Sequence, residues 1–243
     1  MPTDIRCEVE PDDRYTVVRL SGTSAHPSPE SVRSALLTCL AEQSAPVVVD
    51  VTGLAADRAA GAVLAEVAGE VADWPLGRPS FHARPGSGWD GVDPVVPGDA
   101  ARAYARLGEP PTSRRLGLDL QPVTGAGRRA RELVTDGCAR WGLSALAGSA
   151  CIAVTEMVNN VIAHAHTPMS VRIGAHDGQL HVAVRDFSPR RPTYAGPVPP
   201  TSWGGRGLLL IDTVSRRWGT SVLERGKVVW AVLHPDDEQP EAF

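Results

Sequence analysis

Glu156, Asn159, Asn160 and His164 share one stripe of the run Ile152–His166, IAVTEMVNNVIAHAH. Four residues separate Glu156 from Asn160, which on a helix puts the two side chains one turn apart on one face. An Asn side-chain oxygen is a hard ligand that suits a magnesium ion shared with phosphates. A Glu one turn away is placed to act as general base toward a hydroxyl or water. The alternative is an amphipathic helix with a solvated polar face. Asn is a mediocre helix former, and two adjacent Asn in mid-helix weaken it. A face that meets only solvent more often carries Lys, Glu, Arg or Gln. The run alone leaves both readings open.

The elements around it must hold that ridge in place. Val154, Met157, Val158, Val161, Ile162 and Ala165 recur at the i, i+3, i+4, i+7 spacing of a buried stripe. Thr167-Pro168 ends the helix, and Ser144 is its expected cap. Ahead of it the spacing predicts a strand over 116–120 and a helix over about 125–141, with Thr124 as N-cap and Gly142 as stop. After it come strands over 169–175 and 179–186, joined at Asp177-Gly178, a strong hairpin signal. Asp186 then sits at a strand's C-terminal end, where loops commonly build sites. FSPRRPTYAGPVPPTSW follows with five prolines and no periodicity. It leads to Gly204-Gly205-Arg206-Gly207-Leu208, a glycine loop opening an apolar helix, whose backbone N–H groups favour an anionic phosphate. Such a loop also occurs as a plain tight turn. Residues 218–223 and 227–233 read as a hairpin around Arg225-Gly226, and 235–243 as an acidic, disordered tail.

The first half reads as a small α/β layer domain, β-β-α-β-α-β-α. Strands are expected over 4–10 and 14–21, and a helix over about 29–43. Pro46-Val-Val-Val-Asp50-Val is a continuous apolar run typical of a buried strand. A helix over roughly 58–73 carries Val63, Leu64, Val67 and Val71, and a weaker βα unit lies between Arg78 and Leu107. Glu109-Pro110-Pro111 stiffens a linker over 108–115.

The chain has 243 residues and a net charge of −4, which argues against a direct nucleic-acid partner. The Met1 end lacks a signal-peptide pattern, and no apolar run approaches a membrane span. Cys7, Cys39, Cys138 and Cys151 form no CxxC pair and read as buried thiols. The expectation is a cytoplasmic protein without membrane contact.

Two resemblances follow. VVVDVTGLAADRAAGAVLAEV resembles the central strand-loop-helix of the STAS domain (sulfate transporter and anti-sigma-factor antagonist). Asp50, Gly53 and Gly61 fall at matching positions, and the likeness covers about residues 1–107. The family's phosphorylated hydroxyl falls at Ala59, beside Ala60, with Arg58 in place of the preceding Asp. Ala has no nucleophilic oxygen, so this half cannot receive phosphate there. An unrelated small α/β domain is the alternative.

In the second half, RARELVTDGCARWGL, TEMVNNVIAHA, VRDFSP, GGRGLLLI, RWG and GKVVWAVL fall in one collinear order over about 116–234. This half resembles the Bergerat-fold ATPases, above all the anti-sigma-factor serine kinases, and so implies a two-layer α/β sandwich of the histidine kinase-like ATPase type. The resemblance implies ATP and Mg2+ as cofactors. Asn160 would hold Mg against the phosphates, and Glu156 would prepare an acceptor serine hydroxyl. Asp186 would accept a hydrogen bond from the adenine amino group. Gly205 and Gly207 would let the backbone approach the phosphates. Arg206 would add charge, Leu208 would belong to the same nucleotide-binding segment, and Asn159 would be a second polar wall residue. His164 and His166 read as helix-end residues. Asp186-Phe187-Ser188-Pro189-Arg190 departs from the family's D-x-G-x-G, and Val228 stands where many relatives carry Thr.

The function implied is a serine/threonine protein kinase of the anti-sigma type, with a sigma factor or a STAS antagonist as partner and a possible homodimer. The second reading is a non-catalytic nucleotide-binding regulator whose first half is a built-in pseudo-substrate. A histidine-kinase catalytic domain is disfavoured, since no helix pair with a phosphoacceptor His precedes residue 116.

Overall fold

The computed structural model describes residues 5–11, 14–22, 28–43, 45–56, 58–75, 77–107, 114–188 and 206–238, without the side chains of Arg206 and Glu238. The chain splits into two compact units, Met1–Ala72 with Leu76–Ser113, and Asp73–Pro75 with Arg114–Phe243. The expected linker residues 108–113 and tail residues 239–243 lie outside the described residues.

In the first unit, β1 (Ile5–Pro11) and β2 (Thr16–Gly22) run antiparallel, while β3 (Val47–Gly53), β4 (Ser80–Ala83) and β5 (Val96–Pro97) continue parallel in the order β1-β2-β3-β4-β5. Helix α1 (Pro29–Glu42) starts where Ser28 Oγ accepts from the Ser31 N–H at 3.1 Å, with proline in the first turn. It packs against β1 and α2 (Arg58–Glu70), and α3 (Ala100–Arg106) packs against β3 and β4. Val47, Val48, Val49 and Val51 are all buried, which is why β3 reads as an unbroken apolar run. Two expectations shift. The two-residue β5 is inserted before α3, too short to leave a periodic signal. The second helix tightens into a 3-10 turn at Val71–Asp73. An added Cβ at Gly61 would lie 2.6 Å from Val92 Cγ1 and 2.9 Å from Asp93 O, so only glycine lets that loop seat on α2.

The second unit is a five-stranded antiparallel sheet, order β6-β7-β8-β10-β9, under three helices. Its strands are β6 (Arg115–Leu120), β7 (Met169–His176), β8 (Gln179–Asp186), β9 (Arg217–Val222) and β10 (Lys227–Leu233). Helix α4 (Ala126–Trp141) covers β6 and β7, α5 (Ala147–Asn160) covers β8 and β10, and α6 (Arg206–Val214) packs beside α5. Val154, Met157 and Val158 of α5 join Val171, Ile173, Val182, Val184 and Ala231 of the sheet in one core. This is the expected two-layer α/β sandwich.

Several termini differ from expectation. Gly125, at φ 97°, takes the N-cap of α4 in place of Thr124, and no side chain caps it. Ser144–Leu146 form a 3-10 turn instead of capping α5 directly. The last helical turn is wider: Val161–Ala165 adopt π geometry, ending where the His166 N–H donates to Val161 O at 2.8 Å with His166 at φ 54°. Pro235–Glu238, expected in the disordered tail, form a 3-10 turn. The hairpin turn is as read, with Asp177 at φ 47° and Gly178 at φ 74°. Cys39 and Cys138 are buried, but Cys7 and Cys151 are only half-buried. Burial, then the nearby Cys151, pushes the Cys138 thiol up to about 11.

The helical stretch Ser144–Ala165 has 22 residues and is long and apolar enough, by length and composition alone, to cross a membrane, contrary to the sequence reading. Its apolar stripe is buried in the second unit's core, and its other face carries Glu156, Asn159 and Asn160.

Candidate functional site

The α5 ridge and the start of α6 come together. Glu156 and Asn160 are both half-buried, one turn apart, on the side of α5 away from the sheet core. The first turn of α6 lies directly over them. An added Cβ at Gly207 would sit 2.9 Å from Glu156 Oε2, 3.5 Å from Asn160 Oδ1 and 3.6 Å from Asn160 Nδ2. Glycine leaves that space open, and a methyl here would push the flexible end of Glu156 aside. Helix α6 is held there by Leu208 and Ile211, both buried in the unit's core. Its N-terminal N–H groups carry partial positive charge, which favours the Glu156 carboxylate below and any anion brought between them.

Asp186 ends β8 and continues the inward alternation of Leu180, Val182 and Val184, so it points into the helix-covered side of the sheet. It is 2% exposed. Lys227, directly opposite in the β8–β10 register, places Nζ 2.7 Å from Asp186 Oδ2. The Ser188 N–H donates to Asp186 Oδ1 at 2.9 Å. The Phe187 N–H donates to Thr167 Oγ1 at 3.1 Å, which ties the strand end to the loop after α5. Sequence reasoning passed over Lys227. The signal that finds it is register: a lysine just after a glycine turn, opposite a strand-terminal aspartate.

Gly226 makes this junction possible. It has φ 91°, and an added Cβ would lie 1.8 Å from Asp186 O. Ser188 of the D-x-S-P segment is buried, while Pro189 and Arg190 lie outside the described residues.

The other expected site residues fall outside both of these clusters. Asn159 is exposed, and its Oδ1 faces Gly127 of α4, 4.0 Å from where a Cβ would stand. Leu208 is a core anchor whose side chain turns away from the ridge. Gly205 lies outside the described residues, as does the Arg206 side chain. His164 and His166 are exposed at the helix end, as read.

The second unit thus layers three helices on an antiparallel sheet, with a polar ridge on α5 and a buried aspartate at the end of β8. Residues 124–233 match the histidine kinase-like ATPase domain, so the second unit carries a domain of that family. A curated relative is an uncharacterized protein of Streptomyces coelicolor, 37% identical over 91 residues, which covers 36% of this chain and 85% of the relative.

Proposed function

We propose that the second unit binds ATP with Mg2+ and that the protein is a serine/threonine kinase acting on a STAS antagonist in partner-switching control of a sigma factor. The observation that carries this reading is the close approach of Gly207 to Glu156 Oε2 and Asn160 Oδ1. It supplies what such chemistry needs: a carboxylate base, a hard amide oxygen and a helix N-terminus converging on one spot. Among the described residues no three His, Cys, Asp or Glu side chains group to hold a metal. A magnesium ion here would accordingly take Asn160 as a protein ligand and phosphate and water oxygens for the rest.

In this reading Glu156 accepts the proton of the acceptor serine hydroxyl. The hydroxyl oxygen bonds to the γ-phosphorus, the bond to the β-phosphate oxygen breaks, and phosphoserine and ADP result. Asp186 accepts from the adenine amino group with the lone pairs left over from Lys227 and Ser188. The test is transfer of labelled γ-phosphate to candidate STAS proteins. Wild type should transfer and Glu156→Ala should not, with ATP affinity kept within about threefold. Equal transfer by both rejects the base assignment.

A second reading keeps nucleotide binding without transfer, with the first unit as pseudo-substrate. It is favoured by Ala59 and Ala60 in the first turn of α2, where the STAS resemblance would put the phosphoacceptor. An isolated second half that binds a free STAS protein more tightly than the full chain does supports it, and equal affinities reject it.

A further inference from the structure

The α3 side of the first unit's sheet opens into a cavity of about 490 Å3. Its lining includes Val17 and Arg19 of β2, Asp50 of β3, His82 of β4, and Arg84 and Asp99 beyond the strand ends. Arg19, Asp50 and His82 lie in one register row across three neighbouring parallel strands. The same face carries Val17, Val48 and Ala103 in an apolar cluster. Within this row Arg19 is exposed, Asp50 half-buried and His82 buried, and a buried polar group is costly unless it finds a partner.

Some of these partners are present. Arg19 pairs with Glu10 and, at 3.7 Å, with Asp50 Oδ2. Asp50 Oδ1 accepts from the Thr52 N–H at 2.9 Å, and Asp99 Oδ1 from the Arg102 N–H at 2.9 Å. Both carboxylates keep spare lone pairs. His82 is 5% exposed, and its Nδ1 lies 3.2 Å from Gly98 O. A carbonyl can only accept, so Nδ1 bears the hydrogen, and in the neutral ring Nε2 is then the acceptor. That Nε2 is buried and has no hydrogen-bond partner among the described residues. The backbone of Arg84 is fixed by Thr52 Oγ1 at 3.0 Å, while its guanidinium makes no ion pair with a described residue.

We propose that this cavity binds a small organic anion that also carries hydroxyl or ammonium donors. Its carboxylate or phosphate is taken by Arg84, whose guanidinium offers a planar fork of donors. Its hydroxyl or ammonium groups donate to the carboxylates of Asp50 and Asp99 and to His82 Nε2. A bare anion would leave the spare lone pairs of Asp50, Asp99 and His82 Nε2 without donors, and a neutral polyol would leave Arg84 unused. The volume lies in the range of small-molecule sites. The proposal is independent of the nucleotide reading of the second unit.

The test is calorimetric titration of the full chain with two bifunctional probes, glycerol 3-phosphate and serine. Inorganic phosphate, acetate and glycerol serve as single-function controls. At least one bifunctional probe should bind about tenfold more tightly than every control, and Arg84→Ala should weaken it about tenfold. Which probe binds decides between phosphate and carboxylate. His82→Gln should weaken binding too. Since His82 is buried, the exposed Arg84 variant guards against a folding artefact, and amide shifts at residues 50–54 and 82–86 on titration locate the probe. Three outcomes overturn the proposal: no probe binding below 10 mM, phosphate matching glycerol 3-phosphate, or indifference to Arg84→Ala.

Discussion

At the scale of single residues, Gly207 and Lys227 differ in what a substitution disturbs: a flexible side chain at one, a buried ion pair at the other. Gly207→Ala places a methyl 2.9 Å from Glu156 Oε2, the far end of a flexible side chain that can swing aside. Alanine in the first turn of α6 also gains about 1 kcal/mol of helix propensity over glycine. Stability should therefore stay within about 1 kcal/mol of wild type, while displacement of Glu156 and crowding of Asn160 lower ATP affinity about tenfold. Calorimetry with thermal melts checks both, and unchanged affinity would show that α6 does not roof the nucleotide. Lys227→Met strands the Asp186 carboxylate, since the side chains are 11% and 3% exposed. Breaking a buried pair from one side costs about 3–5 kcal/mol. Urea unfolding should show that loss, and the double variant Asp186→Asn/Lys227→Met should recover much of it. Additive losses would mean the pair is solvent-screened.

At the scale of elements, the β8–β10 junction depends on Gly226 in a way that α6 does not depend on Gly207. The overlap at Gly226 is with backbone, Asp186 O at 1.8 Å, and the residue sits at φ 91°. Gly226→Ala should cost at least about 2 kcal/mol, through both the left-handed backbone and the displaced strand end. A melt unchanged from wild type would refute that. These junctions also mark what was legible in the sequence. The α5 stripe was readable because one face of a helix buried on a sheet repeats every three to four residues, and Glu156 and Asn160 followed from it. The Asp177-Gly178 turn was readable because its left-handed backbone selects those residues. The caps were not. Thr124 and Ser144 are good capping types, yet tertiary packing placed Gly125 and Leu146 at the helix starts. The π turn after Asn160 leaves no mark on composition. The Asp186–Lys227 pair depends on a register joining residues far apart in sequence, and the separation of Asn159 from Asn160 depends on where α4 lies.

At the scale of the whole molecule, each unit has its own sheet and its own buried core. Chains with two such units commonly unfold in more than one step, so two transitions are the expected outcome for the full chain. A ligand that binds one native unit stabilises that unit alone, by about 2.7 kcal/mol at a hundredfold excess over its Kd. For a domain of this size that raises its midpoint by roughly 10 °C. Calorimetry of the full chain should therefore show two transitions, with Mg-ATP raising one and leaving the other in place. Gly207→Ala should blunt the shift while moving the unliganded midpoints by no more than about 4 °C, and Gly226→Ala should lower the ATP-responsive transition only. The organic anion that fits the Arg84 and His82 cavity should raise the other transition, and the two shifts should add when both ligands are present. A single transition that Mg-ATP moves as a whole would show that the units fold as one body, and a shift of both by either ligand would show that the sites are coupled.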